Sequence, residues 1–378
     1  IYNNGTATII NSVFKNNYAR WGTVTNDKNM TIINSTIRDN IGYDGGSTYK
    51  TGSGITINTA STNFYEGGNV ENVTTVIDGC TFTNNDQLDI YADKSNNIIK
   101  NNLFNKSKGI VIPQPSSTTG NNYNFTITNN TFLSPIGSSL YNALSSKDNI
   151  TFTIRAYAPY NYIIENNTVT DLKGTNSKAL EVKSNNAIIR NNTFDRIIEV
   201  SGNNNTITNN NITTTQDIYA ISISRTSKNN TITNNNLQTK TYTGNAAINA
   251  TFTLNTVENN TPVTKSIKID DETLNKYFNN DGTLRPIFNE VQQIEIAGPL
   301  NNRNITVDRE IKITQTNKNI STNITITVTN TGKLTINSVI IENTNQQPVI
   351  IINSENNTIE NSNLKTDNNY TIVLNSKN

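Results

Sequence analysis

The side chains that could do chemistry in this chain of 378 residues are mainly carboxylates. Asp86, Asp89 and Asp93 cluster in sequence, whereas Asp171 and Asp195 lie at nearly the same offset in neighbouring repeats. Two carboxylates that reach one glycosidic bond can cleave it, and several oxygens together can hold Ca²⁺. The chain has no His, so it lacks the usual general acid or base. We therefore expect solvated turn residues, no catalytic residue, and no cofactor or bound metal, with a Ca²⁺ site at the Asp86 to Asp93 cluster as the alternative.

Tyrosines in the irregular stretches are the second set of candidates. Exposed aromatic rings beside Asn amides form surfaces on which sugars stack. The candidate carbohydrate-binding residues are Tyr43, Tyr49, Tyr65, Tyr123, Tyr157 and Tyr160. In the alternative interpretation, which we favour, these rings fold the loops back onto the flank of the molecule.

A repeated motif, I-x-N-N-x-apolar, must position both sets of residues. Its copies start at Ile9, Ile32, Ile77, Ile99, Ile127, Ile164, Ile189, Ile207, Ile232 and Ile359, and a degraded copy starts at Thr335. Spacings of 22 to 25 residues recur between copies. A repeat of this length indicates a solenoid, in which each copy stacks on the previous one.

The second residue after the starting Ile is the informative column of the repeat. It holds Asn11, Asn34, Asn101, Asn129, Asn166, Asn191, Asn209, Asn234, Asn337 and Asn361, and the one exception is Gly79. Asn and Gly share a tolerance of the left-handed backbone region, so this column, called the +2 column below, predicts a tight corner with positive φ. Stacked corners would bring the Asn amides close together. We expect a hydrogen-bonded Asn ladder in this column.

The apolar residues on either side of the corner predict two short strands, and a third alternating run precedes each copy, as in Leu180 to Val182. Three strands and three turns per repeat make one rung of a parallel β-helix. Only 33% of the residues are hydrophobic and the mean hydropathy is −0.52, which suits a solenoid with a narrow core. The strict placement of the apolar residues argues against a disordered chain.

The repeat pattern divides the chain into three parts. Residues 1–261 form the first β-helix, with insertions at 41–73, 113–124 and 134–161. Residues 262–303 are a linker with a capping helix, since Leu274, Tyr277 and Phe278 follow an acidic start at helical spacing. We expect residues 304–378 to be the start of a second, truncated β-solenoid. The chain starts inside a rung at Ile1, so we expect a fragment or a processed piece.

Tandem I-x-N-N-x-F rungs, a short helix with the sequence KYFNNDGTL, and new rungs after it resemble the adhesin-like surface proteins of methanogenic archaea. These belong to the pectate-lyase-like superfamily of right-handed parallel β-helices. The resemblance implies an all-β, right-handed parallel β-helix that acts as a non-catalytic extracellular stalk or adhesin. The alternatives are a polysaccharide lyase or hydrolase of the same superfamily, and a purely structural envelope or filament subunit.

Charge and composition limit the partners. The formal net charge is +1, from 30 basic and 29 acidic residues, which argues against nucleic acid. No apolar run of 18 residues exists, so we expect no membrane insertion of this segment. The expected partners are a surface polysaccharide or protein, or a second copy joined end to end. N-x-S/T sequons are frequent, and we expect any glycan outside the +2 column because a ladder would bury those residues.

Overall fold

A computed structural model describes residues 1–19, 22–42, 54–58, 73–93, 95–113, 123–136, 152–174, 177–320 and 322–375. Within these ranges the chain is almost entirely β-strand and turn. It divides into two compact units, Ile1–Pro262 and Val263–Asn378. The division falls one residue from the predicted end of the first β-helix.

Three parallel sheets of ten, ten and nine described strands build the first unit, and each repeat but the last adds one strand to each sheet. The first sheet contains Tyr2–Asn3, Val24–Asn26, Ile55–Asn58, Ile90–Asp93, Ile110–Ile112, Phe152–Ala156, Lys178–Val182, Ile198–Val200, Ile221–Ile223 and Ile248–Asn249. The second contains Ala7–Ile10, Met30–Ile33, Thr74–Asp78, Asn96–Lys100, Asn124–Thr128, Asn161–Glu165, Ile188–Arg190, Thr206–Thr208, Thr231–Thr233 and Thr256–Glu258. The third contains Val13–Lys15, Thr36–Arg38, Thr81–Thr83, Leu103–Asn105, Thr131–Leu133, Thr168–Thr170, Thr193–Phe194, Asn211–Thr213 and Asn236–Gln238. This arrangement is a parallel β-helix, as the repeat predicted.

Two smaller elements complete the first unit. Strands Tyr18–Ala19 and Ile41–Gly42 pair with each other, and a 3₁₀ helix spans Gly244–Ala247. Neither belongs to the three long sheets.

The core is a set of stacked columns, because residues that pair in register have the same type. Ile77, Ile99 and Ile127 pair in the second sheet and are fully buried. Phe82, Phe104 and Phe132 do the same in the third sheet, where successive ring centroids lie 4.7 and 4.4 Å apart. Such columns let a narrow interior reach close packing, since each ring covers the next.

The corner prediction for the +2 column is confirmed at nine of its ten asparagines. Their φ values lie between 48° and 57°, and Gly79 has φ 64°. Asn337 is the exception, since Ile336 pairs with Ile359 and therefore holds the first position of that repeat. The corner falls on Ser338, with φ 59°.

The predicted position of the ladder is wrong by one residue. A corner in the left-handed conformation turns its side chain to solvent, and the next residue points inward. The buried ladder runs through Asn102, Asn130, Asn167, Asn192, Asn210, Asn235 and Asn260, which are 0 to 3% exposed. In each step the backbone N and the Nδ2 of one Asn donate to the Oδ1 of the next at 2.9 to 3.1 Å.

A second corner and a second ladder occur just before the copies that start at Ile207 and Ile232. Asn204 and Asn229 have φ 59°. The backbone N of Asn205 donates to Oδ1 of Asn230 at 2.9 Å, and Nδ2 of Asn230 donates to Oδ1 of Asn255 at 2.9 Å. Each of these buried asparagines again follows an exposed corner residue or lies on the inner side of a turn.

The second unit is also built of parallel strands. One sheet contains Ser266–Ile269, Gln293–Ile296, Glu310–Gln315, Lys333–Asn337 and Thr358–Glu360, and another contains Leu300–Val307, Thr322–Val328, Ile350–Ile352 and Ile372–Leu374. Strands Ile340–Asn343 and Asn363–Thr366 form a pair, the α-helix spans Leu274–Tyr277, and a 3₁₀ helix spans Pro286–Phe288. The short helix is therefore confirmed, with Leu274, Tyr277 and Phe278 buried.

The predicted start of the second solenoid at residue 304 is too late. Ile267 pairs with Ile294, and Ile294 with Ile313, so two strands within 262–303 already belong to its first sheet. The repeat motif is absent from this part of the sequence, and strand pairing alone reveals the rungs.

Candidate functional site

The six tyrosines do not form one exposed platform. Tyr43, Tyr49 and Tyr65 lie outside the described residues. Tyr123 and Tyr160 are 9% and 4% exposed, and their rings meet edge to face at 5.1 Å. The carbohydrate-binding interpretation needs exposed rings, and these two are buried, because Tyr123 alternates in phase with the inward-facing residues of its strand. For these two rings the structure therefore agrees with the favoured alternative.

The acidic cluster also differs from a cation site. Asp86 is exposed, and the side chain of Asp93 lies outside the described residues. Asp89 is fully buried and accepts hydrogen bonds from Nδ2 of Asn85 at 2.9 Å and from the backbone N of Lys108 and Gly109 at 2.7 and 2.8 Å. Burial raises the pKa of Asp89 to about 6, although these hydrogen bonds act in the opposite direction. Asp89 thus links one rung to the next through buried hydrogen bonds.

Asp171 and Asp195 lie at the same turn but in different settings. Asp171 is an exposed corner residue with φ 60°, and it pairs with Lys173 at 2.5 Å. Asp195 accepts a hydrogen bond from the backbone N of Leu172 at 3.0 Å, and burial raises its pKa. The carboxylate of Asp195 thus holds the backbone of the turn, whereas that of Asp171 forms a surface ion pair.

Sequence analysis missed a cluster of charged and aromatic side chains on the first sheet. We call it the charged patch, and it consists of Phe152, Arg155, Tyr157, Lys178, Glu181, Lys183 and Glu199. Its centre is a column of register partners on adjacent strands, in which Arg155 pairs with Glu181 and Glu181 with Glu199. The sequence contains one signal for this cluster, which is an acidic residue between two apolar residues in each of two successive strands, Leu180 to Val182 and Ile198 to Val200.

Ion pairs connect the charged patch across three strands. Nε of Arg155 lies 3.2 Å from Oε2 of Glu181, and these side chains are 9% and 7% exposed. Nζ of Lys178 lies 4.0 Å from Glu181 and also contacts Glu199. Nζ of Lys183 lies 3.9 Å from Glu181. Three cations therefore surround two carboxylates, so the described charges nearly balance.

Aromatic rings flank these charges. The guanidinium carbon of Arg155 lies 4.4 Å from the ring centroid of Phe152 and 3.8 Å from that of Tyr157. Nζ of Lys183 lies 3.9 Å from the Tyr157 centroid. The part of the half-buried Tyr157 ring that these cations cover is not available for stacking on a sugar.

Burial shifts the titration of this cluster. It raises the pKa of the Tyr157 hydroxyl, although the hydrogen bond from Arg155 acts against the shift. Burial also lowers the pKa of Lys178 and Lys183, and the nearby Glu181 carboxylate opposes both shifts. The two lysines therefore lose their protons more readily than a free lysine does, and each is in contact with a carboxylate.

Two carboxylates on adjacent strands resemble the spacing of a glycosidase pair. Neighbouring strands lie about 4.8 Å apart, and retaining glycosidases separate their carboxyl groups by about 5 to 5.5 Å. In the charged patch, however, Lys178 contacts both Glu181 and Glu199. A substrate would first have to displace this lysine.

Among the described residues, no three acidic, His or Cys side chains gather closely enough to hold a metal ion. Within the same ranges, no helix is long and apolar enough to cross a membrane. Comparisons with family models, curated proteins and solved structures found no match to this chain.

Proposed function

We propose that this chain is a non-catalytic stalk or adhesin on the outer surface of a cell, where it attaches to a polysaccharide or a protein. The observation that carries the proposal is the unbroken buried ladder from Asn102 to Asn260. It adds side-chain hydrogen bonds to the strand pairing between seven successive rungs. Seven stacked rungs span about 29 Å, so the ladder holds together a continuous stack built from sequence of low hydrophobicity.

The mutual pairing in the charged patch supports a role without catalysis. Arg155 and Glu181 form a buried ion pair, and Lys178 joins two carboxylates. The resemblance of the repeats to archaeal adhesin-like proteins points the same way. End-to-end contact with a second copy is part of the proposal, because the outer strands of a solenoid offer unpaired backbone groups.

A polysaccharide array tests this function. The full chain is applied with Ca²⁺ and with EDTA, and the supernatant is analysed for released oligosaccharide. The proposal predicts saturable binding without cleavage in at least one condition. Tyr43→Ala and Tyr65→Ala are expected to weaken that binding, and Tyr18→Ala, at a 67% exposed ring outside the insertions, is the matched control. Equal weakening by all three variants would count against a site on the insertions.

Cleavage of polysaccharide is the second candidate, and the pairing of Glu181 with Glu199 on adjacent strands favours it. Release of oligosaccharide by the wild-type chain and its loss in Glu199→Gln would establish this activity and overturn the non-catalytic proposal. Glu165→Gln is the matched control, since Glu165 forms an ion pair with Arg190 on the second sheet.

A further inference from the structure

We propose that the exposed corners of the β-helix are N-glycosylation sites. The inference rests on the proposed location outside the cell. It concerns seven corner residues of the first unit, called the corner sequons: Asn34, Asn129, Asn166, Asn191, Asn204, Asn229 and Asn259. Each stands two residues before a Thr, and each is exposed with φ between 48° and 59°.

The amides of the corner sequons are available for modification. Within the described residues, the side chains of Asn166, Asn191, Asn204 and Asn229 make no hydrogen bond. Only the backbone N of each residue is used, as in the 3.2 Å bond from Asn166 to the carbonyl of Arg190. A group attached to Nδ2 of these four residues would point into solvent without breaking a contact of the fold. At Asn129 the group would replace one long hydrogen bond, which Nδ2 donates to Oδ1 of Asn101 at 3.4 Å.

The ladder asparagines are excluded by the same geometry. An acceptor Asn needs Ser or Thr two residues later. For the buried Asn130, Asn192 and Asn210 that residue is Phe132, Phe194 and Ile212, which fill the core. The core column thus prevents a buried ladder residue from becoming an acceptor. This reverses the expectation that glycans would avoid the +2 column, because that column is exposed.

The donor would be an oligosaccharide linked to a lipid through a diphosphate. The Nδ2 of the corner Asn forms a bond to C1 of the first sugar, the bond from C1 to the diphosphate oxygen breaks, and the lipid diphosphate leaves with the electron pair. The amide nitrogen loses one proton. Transfer acts on the chain before or after folding, and the folded rung accommodates the product at the corner.

Matched negative sites occur in the neighbouring rungs. Asn209 and Asn234 are exposed corners with φ 56° and 57°, but each is followed two residues later by Asn, in place of Thr. Asn211→Thr creates a corner sequon at Asn209. Thr fits at this position, because Asn211 pairs with Thr193 on the adjacent strand.

The test is secretion of the full chain from a eukaryotic cell line, followed by removal of glycans in heavy-oxygen water and mass mapping of the labelled sites. We expect label at most corner sequons, none at Asn209 in the wild type, and label at Asn209 in secreted Asn211→Thr. The exposed sequon at Asn249 controls for access to the transferase.

Label at Asn249 with empty corner sequons would overturn the proposal. A second outcome would also overturn the proposal: the glycosylated Asn211→Thr chain is not secreted, but the Asn209→Gly, Asn211→Thr double variant is secreted. The corner would then not tolerate a glycan. Site mapping is independent of ligand binding. A glycosylated chain that binds no polysaccharide therefore contradicts the adhesin function alone.

Discussion

Replacing Asn210 by Ala tests which of two adjacent Asn columns holds the rungs together. Oδ1 of Asn210 accepts hydrogen bonds from N and Nδ2 of Asn192 at 3.0 and 2.9 Å. Its Nδ2 donates to the carbonyl of Ile189 at 3.0 Å and to Oδ1 of Asn235 at 2.9 Å. Asn210 is only 1% exposed, so water does not replace these partners in the folded protein.

The magnitude follows from the groups left behind. Asn210→Ala removes the acceptor of both Asn192 donors, and a stranded buried group costs about 1 to 3 kcal/mol. The free energy of unfolding should therefore fall by about 2 to 6 kcal/mol. Asn209→Ala is the matched control, because Asn209 is exposed and contributes only its corner conformation with φ 56°. An Ala in the left-handed region costs about 1 to 2 kcal/mol, and Asn209→Gly should cost less.

Urea unfolding of the full chain, combined with hydrogen exchange, measures both effects. Exchange is needed because rungs of a solenoid can open locally. In Asn210→Ala the backbone amide of Asn192 should lose protection, whereas in Asn209→Ala it should keep it. Equal destabilisation by the two Ala variants, or a larger loss at Asn209, would refute the assignment of the ladder.

Three further predictions concern the charged patch, the buried acid and the ring stack. Glu181→Gln should lower the free energy of unfolding by about 3 to 5 kcal/mol in urea unfolding, because it removes a buried charge partner of Arg155. Burial raises the pKa of Asp89 from 3.8 to about 6, so the folded state binds this proton more tightly; the resulting stability is present at low pH and is lost as the pH rises through about 6. Asp89→Asn should remove this pH dependence from urea midpoints. Phe104→Ala should cost about 3 to 5 kcal/mol in thermal or urea unfolding, because it opens a gap between two stacked rings.

Each of these variants has a control in the same chain. Glu165→Gln breaks a more exposed ion pair with Arg190 and should change the stability by less than about 1 kcal/mol. Asp86→Asn, at an exposed acid, should leave the pH dependence intact. Phe104→Leu should cost less than Phe104→Ala. If a control variant shows as large an effect as its test variant, the corresponding argument is contradicted.

The sequence predicted the rungs and corners because both depend on residue type at fixed spacing. Gly79 in the +2 column indicated a left-handed corner, and the structure gives it φ 64°. Replacements in the column that follows the corner should also have indicated that the ladder lies in that column. In the following column Ser35 and Cys80 replace Asn and are both buried, which fits an inward-facing position.

Other features depend on contacts between rungs, which the repeat alone does not specify. Arg155, Glu181 and Glu199 are far apart in sequence and become neighbours only through strand register. Tyr123 and Tyr160 are core residues whose rings meet at 5.1 Å, although both border insertions in the sequence. Loop length and composition do not specify where an insertion returns.

The tripeptide Asn-Asn-Thr supplies the residues for three successive positions of a rung. In residues 191–193 the first Asn forms the exposed corner, the second enters the buried ladder and Thr begins the next strand. A sequon is therefore a consequence of β-helix folding, and its frequency alone is no sign of selection for glycosylation. Asn-Asn-Asn at residues 209–211 supplies the corner and the ladder residue without a sequon at the corner, since the sequon there begins at Asn211. Thr193 and Asn211 pair on adjacent strands, so both residues suit the same position of the fold. Exchanging one for the other therefore changes glycan attachment at the corner without changing the folding requirement.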